Sequence, residues 1–234
     1  MTDNYEPETL RIFDAVLKEG DSVIIAGAHQ GFFVLYLAAL VGKTGKVYAF
    51  EPEKKNFEIL SEKVKGIENV EINNFALGER EASAKFYFNS DNDGGHALWD
   101  VAINPNNVKS QANPTIENVE VKTIDSLFPD GIENLKLLML DAEGSEHSII
   151  KGGINTIADS ETPYIICEIN NFAMNRCMTS QLSLRSYLSM YGYKPYVMNE
   201  KEVIDVGKDE VKAFIPDTEQ EVVFNMLFSR NGKV

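Results

Sequence analysis

Apolar positions in this chain gather in short runs that alternate with stretches of helical spacing. Val23-Ile24-Ile25-Ala26 has the length of a strand and stops at Gly27. Phe32 to Val41 is apolar throughout, which predicts a helix buried on most of its surface and closed by Gly42. Lys46 to Phe50 predicts a second strand, after which Asn56, Ile59, Leu60 and Val64 recur at helical spacing, and Val70 to Phe75 predicts a third. Leu135 to Leu140 is almost wholly apolar, as a central parallel strand covered on both faces should be. Ser145 to Ile150 opens a helix, Tyr164 to Ile169 reads as another buried strand, and Leu182 to Tyr191 as a helix. Glu221 to Ser229, rich in aromatic and β-branched residues, predicts the final strand. This alternation specifies an α/β domain around a mostly parallel sheet, with ligands at the carboxyl ends of its strands.

Two stretches break the pattern. Ala82 to Ser90 alternates like an exposed strand, and Asp91 to Asn118 is rich in Asn, holds Gly94-Gly95 and carries Trp99. A loop of that length inside a compact domain is uncommon and usually functional, so residues 82–118 are read as an insertion that forms a mobile flap over the site. Asn199 to Glu221 is strongly acidic and is read as a solvated connection before the last strand. The whole chain, residues 1–234, is expected to be a single domain.

Composition narrows the partners. Thirty-six acids against 22 bases give a formal charge of −14, which disfavours a nucleic acid or an anionic membrane. The longest apolar run has ten residues, half of what a bilayer-crossing helix requires. The first residues show neither a basic region nor an apolar stretch, so no signal peptide is expected. Two cysteines, Cys167 and Cys177, are too few for a disulfide framework or a thiolate zinc site. A soluble cytoplasmic protein is the expectation.

Chemistry enters at the strand ends. Gly27-Ala28-His29-Gln30-Gly31 joins the first strand to the first buried helix, where glycines allow a tight turn and the helix N-terminus presents free N–H groups. Glu51 ends the second strand, 24 residues beyond Gly27, and suits two ribose hydroxyls of a nucleoside-containing cofactor. That cofactor could be a dinucleotide or S-adenosylmethionine. The loop lacks G-x-G-x-x-G, which makes a pyrophosphate harder to cradle and favours the sulfonium cofactor. A second acidic group, Asp141-Ala142-Glu143-Gly144-Ser145-Glu146-His147, directly follows the central strand. Asp141 points at the same crevice as Gly27. Ser145 can cap the next helix, and Glu146 in its first turn complements the dipole. His147, four residues after Glu143, reads as half of a surface pair.

These stretches together resemble the FkbM family of S-adenosylmethionine-dependent methyltransferases. The resemblance is carried by GAHQGFF, VYAFEPEKKNF, NFALGER, VEVKTIDSLF, LLMLDAEGSEHSIIKGG and YIICEIN, in family order, between Val23 and Asn170. It implies a three-layer αβα, Rossmann-like class I methyltransferase with a mostly parallel seven-stranded sheet and an antiparallel last strand. It implies that Gly27, Ala28 and Gly31 shape the cofactor loop, and that Glu51 with Pro52 takes the ribose. Ala76 and Leu77 would lie by the adenine, and Asp141 at the methionine end. The implied acceptor is a small molecule, a hydroxyl of a sugar or natural product. Asp141, Glu143 and His96 are then the candidate bases. The chain departs from the family where Ile25-Ala26 replaces the acid of a D-V-G-A pattern, where His29 replaces an asparagine, and where His96 replaces a serine.

Three other readings compete. Glu143-x-x-Glu146-His147 resembles the metal-binding segment of small-RNA 2′-O-methyltransferases, but that family needs a further histidine, for which His29 and His96 are the only others available. The charge of −14 also disfavours RNA, and no metal is expected. The missing acid before Gly27 would suit a non-catalytic cofactor-binding protein. A nicotinamide oxidoreductase is weakened by the loop sequence.

Overall fold

The computed structural model describes residues 5–199, 202–207 and 223–232. The chain enters through α1 (Pro7–Val16), with Pro7 preset for the first turn and Ile12, Phe13 and Val16 on the buried stripe. It continues through β1 (Ser22–Ala26), α2 (Phe32–Val41), β2 (Lys46–Phe50), α3 (Lys54–Lys63) and β3 (Val70–Asn73). Next come β4 (Ala76–Leu77), β5 (Ala82–Phe88), a 3-10 turn at Val101–Ile103, α4 (Val108–Ala112), β6 (Thr115–Lys122) and α5 (Ile124–Leu127). The remainder is β7 (Leu135–Leu140), α6 (Glu146–Lys151), α7 (Ile154–Asp159), β8 (Tyr164–Asn170), α8 (Asn171–Arg176), α9 (Gln181–Ser189), β9 (Lys194–Met198), β10 (Val203–Asp205) and β11 (Val223–Ser229).

The main sheet runs β10-β9-β11-β8-β7-β1-β2-β3. Strands β3, β2, β1, β7 and β8 are mutually parallel, and β11 lies antiparallel between β8 and β9. The expected sheet of seven strands with an antiparallel last strand is therefore present, with one addition: the short edge strand β10 makes eight. Two apolar cores cover its faces. One gathers Val23, Ile25, Val47, Ala49, Leu137, Met139, Ile166 and Leu227 beneath α1 and α2. The other gathers Ile24, Phe50, Leu138, Leu140, Ile165, Cys167 and Met226 beneath α6, α7 and α9. Alternate residues of the central strands go to opposite cores, so β1 and β7 are buried on both sides. No helix among the described residues is long and apolar enough to cross a membrane.

The insertion differs from the expected loop. Strand β6 takes up Thr115 to Asn118, which the sequence reading left in the loop, and pairs antiparallel with β5 in a second sheet of order β4-β6-β5. Between them Trp99 packs its ring on Phe172, with centroids 5.7 Å apart, and donates Nε1–H to the Glu143 carbonyl at 2.8 Å. The segment is thus anchored to the main body at its middle. The Asn-rich composition serves turns: Asn89 Oδ1 accepts the amides of Asp91 and Asn92, and Asn104 Oδ1 that of Asn106. Most of the acidic connection expected over Asn199 to Glu221, residues 200–201 and 208–221, lies outside the described residues.

Candidate functional site

Register places the chemistry in one row. Ala26 at the end of β1 pairs with Phe50 of β2 on one side and Leu140 of β7 on the other. The next residues, Glu51, Gly27 and Asp141, therefore stand side by side at the carboxyl edge. Leu140 pairs with Cys167 of β8, so Glu168 follows Asp141 in the row, and Asn225 of β11 pairs with Glu168. Strand alternation puts all five on the face of the α1–α2 core.

The turn after β1 explains the glycine. Gly27 has φ +79°, and a Cβ there would overlap the Asp141 carbonyl oxygen. The amides of Gly27 and Ala28 both donate to the Phe50 carbonyl at 3.0 Å, and Asp141 N–H donates to the Ala26 carbonyl at 3.0 Å. Glycine at 27 is thus what lets β1 and β7 end at contact distance. Gly31, also at positive φ, starts α2 against Leu60 rather than facing the site. Ala28 is buried in the α1–α2 core. Of the three predicted loop residues, Gly27 alone lines the cavity; the other two shape it from behind.

A cavity of about 320 Å³ opens on this edge, within the ~300–1,000 Å³ of small-molecule sites. One end is apolar, walled by Phe50, Phe75, Ala76, Leu77 and Ile149. Glu51 and Pro52 after β2, and Asp141, Ala142 and Glu143 after β7, line the cavity as well. The inserted segment closes the top with Asn92, Asp93, His96 and Leu98. Gly27, Glu51, Pro52, Ala76, Leu77, Asp141, Glu143 and His96 all meet in this one cavity. Sequence reasoning missed Tyr5, Phe75, Phe86, Asn56 and Asp93 among its walls. Among the described residues no lysine or arginine lines it, while four carboxylates do.

Glu51 is held rather than free. Its Oε2 accepts His29 N–H at 2.7 Å and its Oε1 accepts Glu53 N–H at 2.8 Å, which aims the remaining lone pairs at the cavity. Burial lifts its carboxyl to about 7, against the pull of those two amides. Asp141 is raised to about 6, first by burial and then by the nearby Glu6 carboxylate, with Glu168 hydrogen-bonded beside it. Glu168 is raised well above the usual range by burial and by Asp141, Glu143 and Glu146.

Several side chains depart from expectation. Ser145 makes no capping bond to α6. Glu146 is fully buried and folds back on the turn that precedes the helix, its Oε1 accepting the amides of Ala142 and Gly144. Burial lifts it to about 7. His147 is buried, not a surface partner of Glu143, and its Nδ1 lies 2.6 Å from Thr179 Oγ1. Glu143, Glu146 and His147 thus point three ways, so the metal-binding pattern of their spacing is not realised. Among the described residues no group of His, Cys, Asp and Glu is arranged to hold a metal ion. His96 Nδ1 accepts the Asn89 N–H at 2.9 Å, which fixes the ring proton of the neutral tautomer on Nε2. The ring therefore offers a donor to the cavity, and burial lowers its affinity for a second proton.

Asp93 ties the cover to the loop beneath it. Its Oδ2 lies 3.5 Å from His29 Nε2 and accepts Gln30 Nε2–H at 3.2 Å, and its Oδ1 lies 3.9 Å from His96 Nε2. These contacts are exposed and weak, whereas Trp99 anchors the segment further along. Amide exchange over residues 91–98 is accordingly expected to slow when cofactor and acceptor are both bound. Unchanged protection by hydrogen-exchange mass spectrometry would make the segment a fixed wall.

A family model for the methyltransferase FkbM domain matches residues 26–195. The chain is 23 % identical over 188 residues to 2-O-methyltransferase NoeI of Sinorhizobium fredii, covering 75 % of this chain and 73 % of that protein. In fold it is similar to a chain assigned as an rRNA methylase from Clostridium thermocellum (TM-score 0.53, 12 % identity, 98 % of each chain). It is equally similar to a chain assigned as a methyltransferase from Streptococcus mutans, solved in complex with SAH (TM-score 0.52, 9 % identity, 98 % of this chain and 99 % of that one).

Proposed function

The chain belongs to the FkbM methyltransferase family, and on that premise we propose that it methylates a hydroxyl oxygen of a neutral sugar or small natural product. It is a methyltransferase, and S-adenosylmethionine is its methyl donor. The residues present fit that donor. An apolar slot suits an adenine, the held carboxylate of Glu51 suits a ribose diol, and an acidic lining with no lysine or arginine among the described residues suits a cation. The same set does not fit a dinucleotide, whose pyrophosphate would face four carboxylates. When bound, the donor supplies a methyl carbon already activated by positive sulfur.

The observation that carries the acceptor class is the charge of the cavity. Phosphorylated or carboxylated acceptors would meet four carboxylates and, among the described residues, no lysine or arginine, whereas a neutral polyol finds hydrogen-bond partners in Asp141, Glu143, Asn92 and His96 Nε2–H. Asp141 stands at the end of a rigid strand and takes the hydroxyl proton as the oxygen attacks. Glu143, whose Oε2 lies 3.4 Å from Asn170 Nδ2, assists from the adjoining turn. NoeI is a 2-O-methyltransferase by name, which accords with an oxygen acceptor.

Glu51→Ala tests the cofactor half of this reading. It removes charge-assisted hydrogen bonds worth ~1.5–3 kcal/mol, so S-adenosylmethionine should bind roughly ten- to a hundredfold more weakly. Calorimetry that finds equal affinity in wild type and E51A rejects Glu51 as the ribose acid. For the acceptor half, labelled methyl transfer should appear with neutral glycosides and not with their phosphate esters; the reverse order would overturn the acceptor class.

A further inference from the structure

Glu168 stands out as an acid in the middle of an otherwise apolar run, Tyr164-Ile165-Ile166-Cys167-Glu168-Ile169. Register makes it the lateral neighbour of Asp141, on the same face of the sheet. Its other neighbour is Asn225, but that amide is committed elsewhere: Nδ2 donates to Glu6 Oε2 at 2.8 Å and to Thr9 Oγ1 at 3.1 Å. Among the described residues the charged groups bearing on the pair are all acidic, namely Glu6 ahead of α1, Glu51 at the end of β2, and Glu143 and Glu146 around the turn into α6; Tyr5 adds a phenol. Two carboxylates side by side, half-buried at the cavity edge and without a cation among the described residues, ionise together only at a cost that a ligand cation offsets. Asp141 faces the cavity, so the cation can come from the ligand.

Resting on the methyltransferase reading above, we propose that Asp141 and Glu168 form one charge-reading pair, holding a single proton between them in the ligand-free enzyme and releasing it to solvent when the sulfonium of S-adenosylmethionine enters. Glu168 is then a positioning residue that acts through Asp141. The step balances. The doubly ionised pair faces one positive sulfur; as the acceptor oxygen attacks, the C–S electron pair returns to sulfur, a C–O bond forms, and the hydroxyl proton passes to the pair. Sulfur ends neutral and the pair ends singly charged, the state suited to an uncharged thioether. The wall thus favours the donor over the spent product by charge alone, which helps product leave.

The test needs no acceptor. Calorimetry of wild-type protein in two buffers of different protonation enthalpy counts protons released on binding. S-adenosylmethionine should release more than S-adenosylhomocysteine, which shares the adenosine and the amino acid and so cancels contributions from Glu51. The ratio of their affinities should climb with pH, by up to tenfold per unit, while the free pair still carries its proton. In Glu168→Gln the extra proton release should vanish, and donor affinity should fall tenfold or more with product affinity nearly unchanged. Equal proton counts for the two nucleosides, or equal weakening of both in E168Q, would overturn the pair while leaving the methyltransferase reading intact. If wild-type protein bound neither nucleoside, that reading itself would fall. Should E168Q lack a cooperative unfolding transition, the wild-type proton count and its pH dependence decide alone.

Discussion

Gly27→Ala is expected to remove cofactor binding and to destabilise the fold at once, because one added carbon breaks the register of the strand ends. Alanine at φ +79° costs about 1–2 kcal/mol on backbone grounds alone. Its Cβ must also displace the Asp141 carbonyl, which is backbone and cannot rotate aside. Strain of that kind adds ~1–3 kcal/mol, and moving β7 disturbs the Asp141–Ala26 hydrogen bond that closes the row. A total of ~2–5 kcal/mol corresponds to a fall in melting temperature of roughly 4–20 °C for a domain of this size. Cofactor affinity should drop more than a hundredfold, since Gly27, Glu51 and Asp141 no longer share one edge. Gly66→Ala is the matched control. Gly66 has φ +83° with nothing within 4 Å of a built Cβ, so it should lose the backbone contribution and keep full affinity. Thermal unfolding and calorimetry on the two variants read both effects. Equal behaviour of the two would mean that the contact with Asp141 carries no weight.

What the sequence disclosed follows from where its signals are local. The strands β1, β7 and β8 are continuous apolar runs buried on both faces, and their ends are marked by residues that fit poorly in a core, Gly27 and Asp141. Those features survive without any knowledge of pairing, so the sheet and the acidic row at its edge were legible. The second sheet was not. Strand β6 is exposed along most of its length and carries Asn118 beside Glu117 and Glu120, so it lacks the apolar alternation that marks a half-buried strand. It becomes a strand because β5 supplies a partner far away in the chain. Ser145 and Glu146 show a second kind of failure. Both suit a helix N-terminus, and only the fold decides that the longer side chain turns back to the amides of Ala142 and Gly144. Glu168 was visible as an acid inside an apolar strand, yet its meaning depends on the register with Asp141, which no single-strand pattern contains.

Asp141→Asn is expected to lower kcat by ~10²–10⁴, the span of general-base assistance, while S-adenosylmethionine affinity falls by about as much as in Glu168→Gln, since either change leaves the pair one charge. The substitution keeps the shape of the side chain and leaves Glu168 to carry the negative charge toward the cofactor. What it removes is a carboxylate able to take the hydroxyl proton in the transition state, and a loss confined to the transition state appears in kcat. The pH profile gives an independent check. A base must be ionised to act, and burial with the Glu6 carboxylate raises Asp141 to about 6. The wild-type kcat/KM for the cofactor, which reports the free enzyme, should therefore fall as pH drops through about 6 and recover above it. Glu51 is raised to about 7 and can add a second inflection, so the comparison that isolates Asp141 is between wild type and D141N. The variant should lose the lower inflection and keep the upper. Glu143→Gln, which leaves Asp141 in place, should lower kcat by far less. If instead E143Q is the more damaging change and D141N retains near-normal kcat, the base lies on the turn after β7 and not at its end, and Asp141 serves the cofactor alone.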